Sequence, residues 1–157
     1  MKITTFAKLK KEQQELLKKA ETVMKNAYNP MSHYFVGAAI LTKKNNIYVG
    51  TFAENSSMGG TICAERAAVL AANSCGERVF KTIAVIGAHE EFASKEPVTP
   101  CGMCRQVISD FAQIGGKDIE IICANTKKNK IYLTSIKELL PVAFGPKDLK
   151  INVSKYR

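Results

Sequence analysis

The run Thr61-Ile62-Cys63-Ala64-Glu65-Arg66-Ala67-Ala68-Val69-Leu70-Ala71-Ala72 puts a thiol, a carboxylate and a guanidinium at the head of an alanine-rich apolar segment. The apolar part reads as a helix, so the three polar groups gather at its N-terminus. Downstream, Pro100-Cys101-Gly102-Met103-Cys104-Arg105-Gln106 opens a second helical pattern with a Cys-x-x-Cys pair. Two helices that each begin on cysteine, with apolar runs between them, make strand–helix units the frame of the fold. They also make three thiolates available to one metal ion, with Glu65 as a possible proton carrier beside it.

Read outward from that stretch, the chain alternates elements. Thr4 or Thr5 can cap a helix running to about residue 27, with Phe6, Leu9, Leu16, Leu17, Ala20, Val23, Met24 and Ala27 on one face. Residues 34–42 and 47–53 read as two strands of a hairpin around Lys43-Lys44-Asn45-Asn46. The helix headed by Cys63 ends near residues 73–76. Residues 82–88 form a continuous apolar strand suited to a central position. A third helix runs from Pro100 to about Ile114 and stops at Gly115-Gly116. Strands at 119–124 and 131–134, a short helix at 135–140 and an irregular tail complete the chain. This order predicts a three-layer α/β/α sandwich around a five-stranded mixed sheet, with helices on both faces and all 157 residues in one domain.

The composition limits the classes of function. The N-terminal pattern is Lys/Glu-rich with no apolar signal region, and the longest apolar run, Phe35 to Leu41, is too short to span a bilayer. These features point to a cytoplasmic protein with no membrane partner. Five cysteines in such a chain argue against a disulfide framework. The net charge of +9 invites a nucleic-acid partner. Its lysines are interleaved with acids or sit at turns, however, and no aromatic residues intersperse them as a stacking surface would require.

Cys101 and Cys104, three apart, share a face of the first helical turn. Cys63 and Glu65 converge only if Cys63 lies at the helix start, where the backbone is not yet helical. Three thiolates leave a bound Zn²⁺ with one net negative charge. Two helix N-termini and Arg66 offset it, so that the open fourth position can lower the pKa of a water. Other readings share the same residues. A closed structural zinc site would need a fourth ligand from His33, His89, Cys75 or Cys123. A redox Cys-x-x-Cys would leave Glu65 and Arg66 without a role.

The chain resembles the short, homotetrameric zinc-dependent cytidine deaminases over nearly its whole length. The matching segments are Ser32-His33-Tyr34-Phe35-Val36-Gly37-Ala38-Ala39, Glu54-Asn55-Ser56-Ser57, the two cysteine segments, and Leu139-Leu140-Pro141 through Phe144-Gly145-Pro146-Lys147-Asp148-Leu149. The resemblance implies one Zn²⁺ per subunit on Cys63, Cys101 and Cys104, Glu65 as acid/base, and Arg66 as the compensating charge. It implies substrate contacts at Tyr34, Phe52, Glu54, Met58, Ala64 and Phe144. Tyr34 and Phe144 would sandwich the base, the latter from a neighbouring subunit of a tetramer with shared sites. For both aromatics, plain packing is the competing reading.

Cys63, where deaminases of tRNA or single-stranded DNA have histidine, favours a free nucleoside as substrate. Hydrolysis of cytidine or deoxycytidine in pyrimidine salvage is therefore the leading expectation. Phe52 and Met58 stand where the family has a polar Asn and Tyr. This keeps open a modified cytosine nucleoside such as blasticidin S; a nucleic-acid deaminase or a structural zinc protein would be alternatives of another class.

Overall fold

The computed structural model describes residues 1–91 and 94–157. Six strands form one sheet: β1 (Lys2–Thr4), β2 (Tyr34–Thr42), β3 (Ile47–Thr51), β4 (Phe80–His89), β5 (Glu120–Asn125) and β6 (Ile131–Ser135). Their spatial order is β1-β6-β5-β4-β2-β3. Only β4 and β5 run parallel; every other neighbouring pair is antiparallel. The continuous apolar run is the central strand β4, with Ile83 to Ile86 wholly buried on both faces.

Four α-helices cover the sheet: α1 (Lys11–Met24), α2 (Ala64–Ser74), α3 (Gly102–Gly115) and α4 (Ile136–Leu139). On one side Leu16, Leu17 and Ala20 of α1 pack with Ala39, Leu41, Ala84, Ile86 and Ile122 of the sheet. On the other side Ala68, Val69 and Ala72 of α2 and Ile108 of α3 pack with Ala38, Ile40, Ile83, Val85 and Ile121. Alternate residues of each strand feed opposite faces, which makes the three layers. The expected α/β/α sandwich with helices on both faces is present.

Two glycines let helices lie close on the hairpin. A Cβ on Gly37 would fall 2.0 Å from the Ala20 carbonyl oxygen of α1, and one on Gly50 would fall 2.3 Å from the Ala68 nitrogen of α2. The Gly50 contact sets how near α2, and so Cys63 at its head, sits to the sheet.

Three expectations need correction. The sheet has six strands, not five, because Lys2–Thr4 pairs with β6 at the edge. Ile3 in this strand is exposed, so its three residues carry no alternation to read. The first helix begins at Lys11 rather than at Thr4 or Thr5 and ends at Met24 rather than about residue 27. Thr4 is used in the edge strand, and Thr5 makes no capping bond before a single 3-10 turn at Phe6–Lys8. Instead the Gln13 side chain reaches back to accept from the Lys10 N–H at 2.9 Å. The third helix starts at Gly102, and Gly116 closes it with φ at 67°.

Candidate metal centre

Cys63 is the N-cap of α2 and Cys101 the N-cap of α3, both with extended backbone (ψ 150° and 170°). The condition for Cys63 and Glu65 to converge, a cysteine just outside the helix, is therefore met. The two helices leave the sheet so that their first turns meet. The Cys63 and Cys101 Sγ atoms are 3.8 Å apart, and those of Cys101 and Cys104 are 3.6 Å apart. All three sulfurs lie within 4.8 Å of one another. Among the described residues, no fourth cysteine, histidine or carboxylate joins the group. Cys123 is buried in β5 and Cys75 lies exposed at the far end of α2, away from the group.

Exposure is graded across the triad: Cys104 is buried, Cys63 intermediate and Cys101 exposed. The cluster is thus walled on one side and open on the other, the form of a centre that keeps a coordination position for something else. Its electrostatics suit a cation. The neighbouring Cys104 thiol, then Cys101 and Arg66, pull the Cys63 thiol down despite its burial. The Cys104 thiol is pushed up, first by its hydrogen bond with Cys63 and then by burial.

Arg66 stands beside Cys63. Burial alone would lower its pKa, but the Cys63 thiolate more than offsets this and raises it. Its Nη2 donates to the Thr61 carbonyl at 2.6 Å, while its buried Nε has no oxygen or nitrogen partner among the described residues. A buried guanidinium N–H without such a partner, on the arginine that faces the Cys63 and Cys104 sulfurs, fits a centre whose thiolates are charged. The donor set of soft sulfurs, two helix N-termini and one arginine fits Zn²⁺.

Glu65, in the first turn of α2, is 3% exposed. Burial, reinforced by the charge on Cys63, pushes its carboxyl up to about 7. A carboxyl at that level exists in both protonation states near neutrality, as a proton carrier requires.

The outlying contacts vary. Glu54 accepts from the backbone N–H groups of Met31 (2.8 Å) and Ser32 (3.1 Å). Its pKa is lowered chiefly by the Ser32 hydroxyl and then by those N–H groups. It therefore fastens the loop leading into β2. Tyr34 is the half-buried first residue of β2, with its phenol raised by burial. Phe52 continues the edge of β3, its N–H donating to Val36 and its carbonyl accepting from Tyr28. Met58 is 79% exposed and Phe144 62% exposed, so neither packs in the core of this chain. Ala64, the first residue of α2, is wholly buried in the core.

Two neighbours of the centre carried no assigned role in the sequence. Arg105 donates from Nε to the Pro100 carbonyl (2.8 Å) and from Nη1 to the Leu139 carbonyl (3.1 Å). Gln106 donates to the Phe144 carbonyl (2.8 Å) and to Asp110 (2.9 Å). Their place directly after Cys104 was the one available signal.

Residues 10–116 match the family model described as the cytidine and deoxycytidylate deaminase zinc-binding region. A cytidine deaminase of Sporosarcina psychrophila is 39% identical over 136 residues, covering 87% of this chain and 93% of the relative. A blasticidin-S deaminase of Bacillus cereus is 35% identical over 133 residues, covering 83% and 90%. Among solved structures, the cytidine deaminase from Burkholderia pseudomallei superposes with a TM-score of 0.74 at 36% identity, covering 83% of this chain and 97% of that one.

Proposed function

Because the chain belongs to the cytidine and deoxycytidylate deaminase zinc-binding family, we propose that it hydrolyses cytidine and deoxycytidine to uridine and deoxyuridine, releasing ammonia. The observation that carries this reading is the cluster of three cysteine sulfurs within 4.8 Å at two helix heads, with a buried carboxyl pushed up to about 7 beside it.

Cys63, Cys101 and Cys104 hold the zinc, one per subunit. When bound, zinc supplies Lewis-acid activation of the attacking water. Glu65 takes a proton from that water on its carboxylate oxygen. It gives that proton to the ring nitrogen as the C–O bond forms, then takes the second proton from the new hydroxyl and gives it to the amino group, which leaves as ammonia when the C–N bond breaks. Burial keeps Glu65 from exchanging that proton with bulk solvent between steps. Arg66 remains charged throughout and balances the thiolates. Tyr34 and Phe144 flank the base, and Glu54 accepts a hydrogen bond from a sugar hydroxyl.

Phe52 and Met58 support a second reading. Neither side chain can exchange useful hydrogen bonds with a sugar, so discrimination at that end of the site is weakened. A modified cytosine nucleoside such as blasticidin S then competes as substrate, and the Bacillus cereus relative is in accord. A substrate panel separates the two. Loss of cytidine absorbance at one zinc per chain supports the first; negligible turnover of cytidine and deoxycytidine beside rapid turnover of blasticidin S overturns it.

This reading makes the protein a single-domain enzyme that works as a tetramer, with Phe144 serving a neighbouring site. Among the described residues, no helix is long and apolar enough to cross a membrane. A cytoplasmic location and a role in salvage go with it.

A further inference from the structure

The segment from Leu140 to Leu149 has little apolar burial to hold it. Val142 and Leu149 are exposed along with Phe144. A segment without a buried face keeps its position through specific polar anchors, and α3 supplies them. Arg105 Nη1 holds the Leu139 carbonyl where α4 ends, Gln106 Nε2 holds the Phe144 carbonyl, and Gln113 Oε1 accepts from the Lys147 N–H at 3.2 Å. Gln106 and Gln113 lie seven residues apart and so on one face of α3. The anchored segment is close-set: a Cβ on Gly145 would lie 2.2 Å from the Gln113 amide nitrogen.

The same helix begins on Cys101, and Arg105 ties both ends together. Its backbone N–H closes the first turn on the Cys101 carbonyl (2.9 Å), and its Nε closes on the Pro100 carbonyl. Arg66 makes the matching reach to Thr61, also five residues back. Arg105 differs in having a second arm, which grips the tail. One planar guanidinium with fixed donor directions therefore spans the cysteine turn and the start of the tail, a geometry a lysine ammonium cannot reproduce.

We infer that Arg105 and Gln106 are positioning residues that hold the tail bearing Phe144 in fixed register against the Cys101–Cys104 turn. The inference rests on the reading of Phe144 as a wall of the substrate site. Neither residue touches substrate; each acts through the tail.

The test is a double-mutant cycle on the zinc-loaded enzyme, measuring KM, kcat, bound zinc and thermal midpoint for Gln106→Leu, Phe144→Ala and the pair. Gln106→Leu should raise KM by about fivefold to tenfold, the loss expected for one hydrogen bond. Its kcat should stay within about twofold and zinc at one per chain. In the Phe144→Ala background the same change should have almost no further effect. Arg105→Lys should show the same split.

If Phe144→Ala raises KM while Gln106→Leu leaves it unchanged, or the two effects simply add, the positioning role is overturned and the site reading stands. If Phe144→Ala leaves KM unchanged, the site reading itself falls and the inference with it. Loss of zinc and kcat together in Gln106→Leu would mark a structural role and overturn the inference. Gln106→Met, which keeps the length and helix propensity, replaces the leucine variant should that variant fold poorly.

Discussion

Glu65 carries a conflict between its surroundings and its charge, and the conflict is useful. Burial raises its carboxyl to about 7, so deleting the ionisable group should remove a proton carrier without removing a metal ligand. Glu65→Gln is expected to lower kcat by about a thousandfold, within the range for general acid–base groups. Zinc content should remain at one per chain by metal analysis; loss of zinc in step with activity would contradict the assigned role. At this scale the sequence was most legible where chemistry sits within four residues, as in Cys63, Glu65 and Arg66. Arg105 and Gln106 were opaque because their partners, Leu139 and Phe144, lie 34 and 38 residues away.

Among the elements, the placement of α2 depends on a missing side chain. Gly50→Ala would drive a methyl group into the Ala68 backbone, and overpacking of this kind costs about 1–3 kcal/mol. A lowered thermal midpoint is expected, together with weaker zinc retention against a chelator, because α2 carries Cys63. The end of α2 has its own lock. The buried Glu77 accepts from Thr42 and Asn46 at 2.5 Å and from Tyr48 at 3.1 Å, joining the hairpin to the entry of β4. These bonds, Thr42 first, hold its pKa below the usual carboxylate value. A depressed folded pKa contributes stability that is full above the unfolded value of 4.5 and lost as pH falls through the folded one. The thermal midpoint of Glu77→Gln should accordingly fall less steeply below about pH 4.5 than that of the native protein; parallel curves would refute the linkage. Helices and strands with clear periodicity were readable, including the central β4. The edge strand β1 was not, since three residues with an exposed Ile3 show neither alternation nor a buried run.

For the molecule as a whole, the metal joins parts that are distant in sequence, so its removal should be felt globally. Zinc at a free concentration a hundred times its dissociation constant stabilises the folded state by about 2.7 kcal/mol. Chelation should therefore lower the thermal midpoint and restored zinc should return it; an unchanged midpoint would place the metal elsewhere. Assembly is testable at the same scale. Sedimentation at assay concentration should find a tetramer, and activity should decline on dilution into monomer, whereas an active monomer would remove Phe144 from any neighbour's site. The three-layer architecture was legible in the order of elements. The order of strands across the sheet was not, because pairing partners are chosen by packing over the whole chain.

That pairing also bears on how the protein is made. Lys2 pairs with Leu133 and Thr4 with Ile131, so β1 must wait for β6 to be made before it can pair. The hairpin β2–β3, with α1 and α2, can assemble early from nearby residues, while β1 stays an unpaired ribbon through most of synthesis. Closing so long a loop is entropically costly and slow. The edge of the sheet is thus sealed late, and nascent chains stalled before β6 should be the species that chaperones hold and proteases cut first.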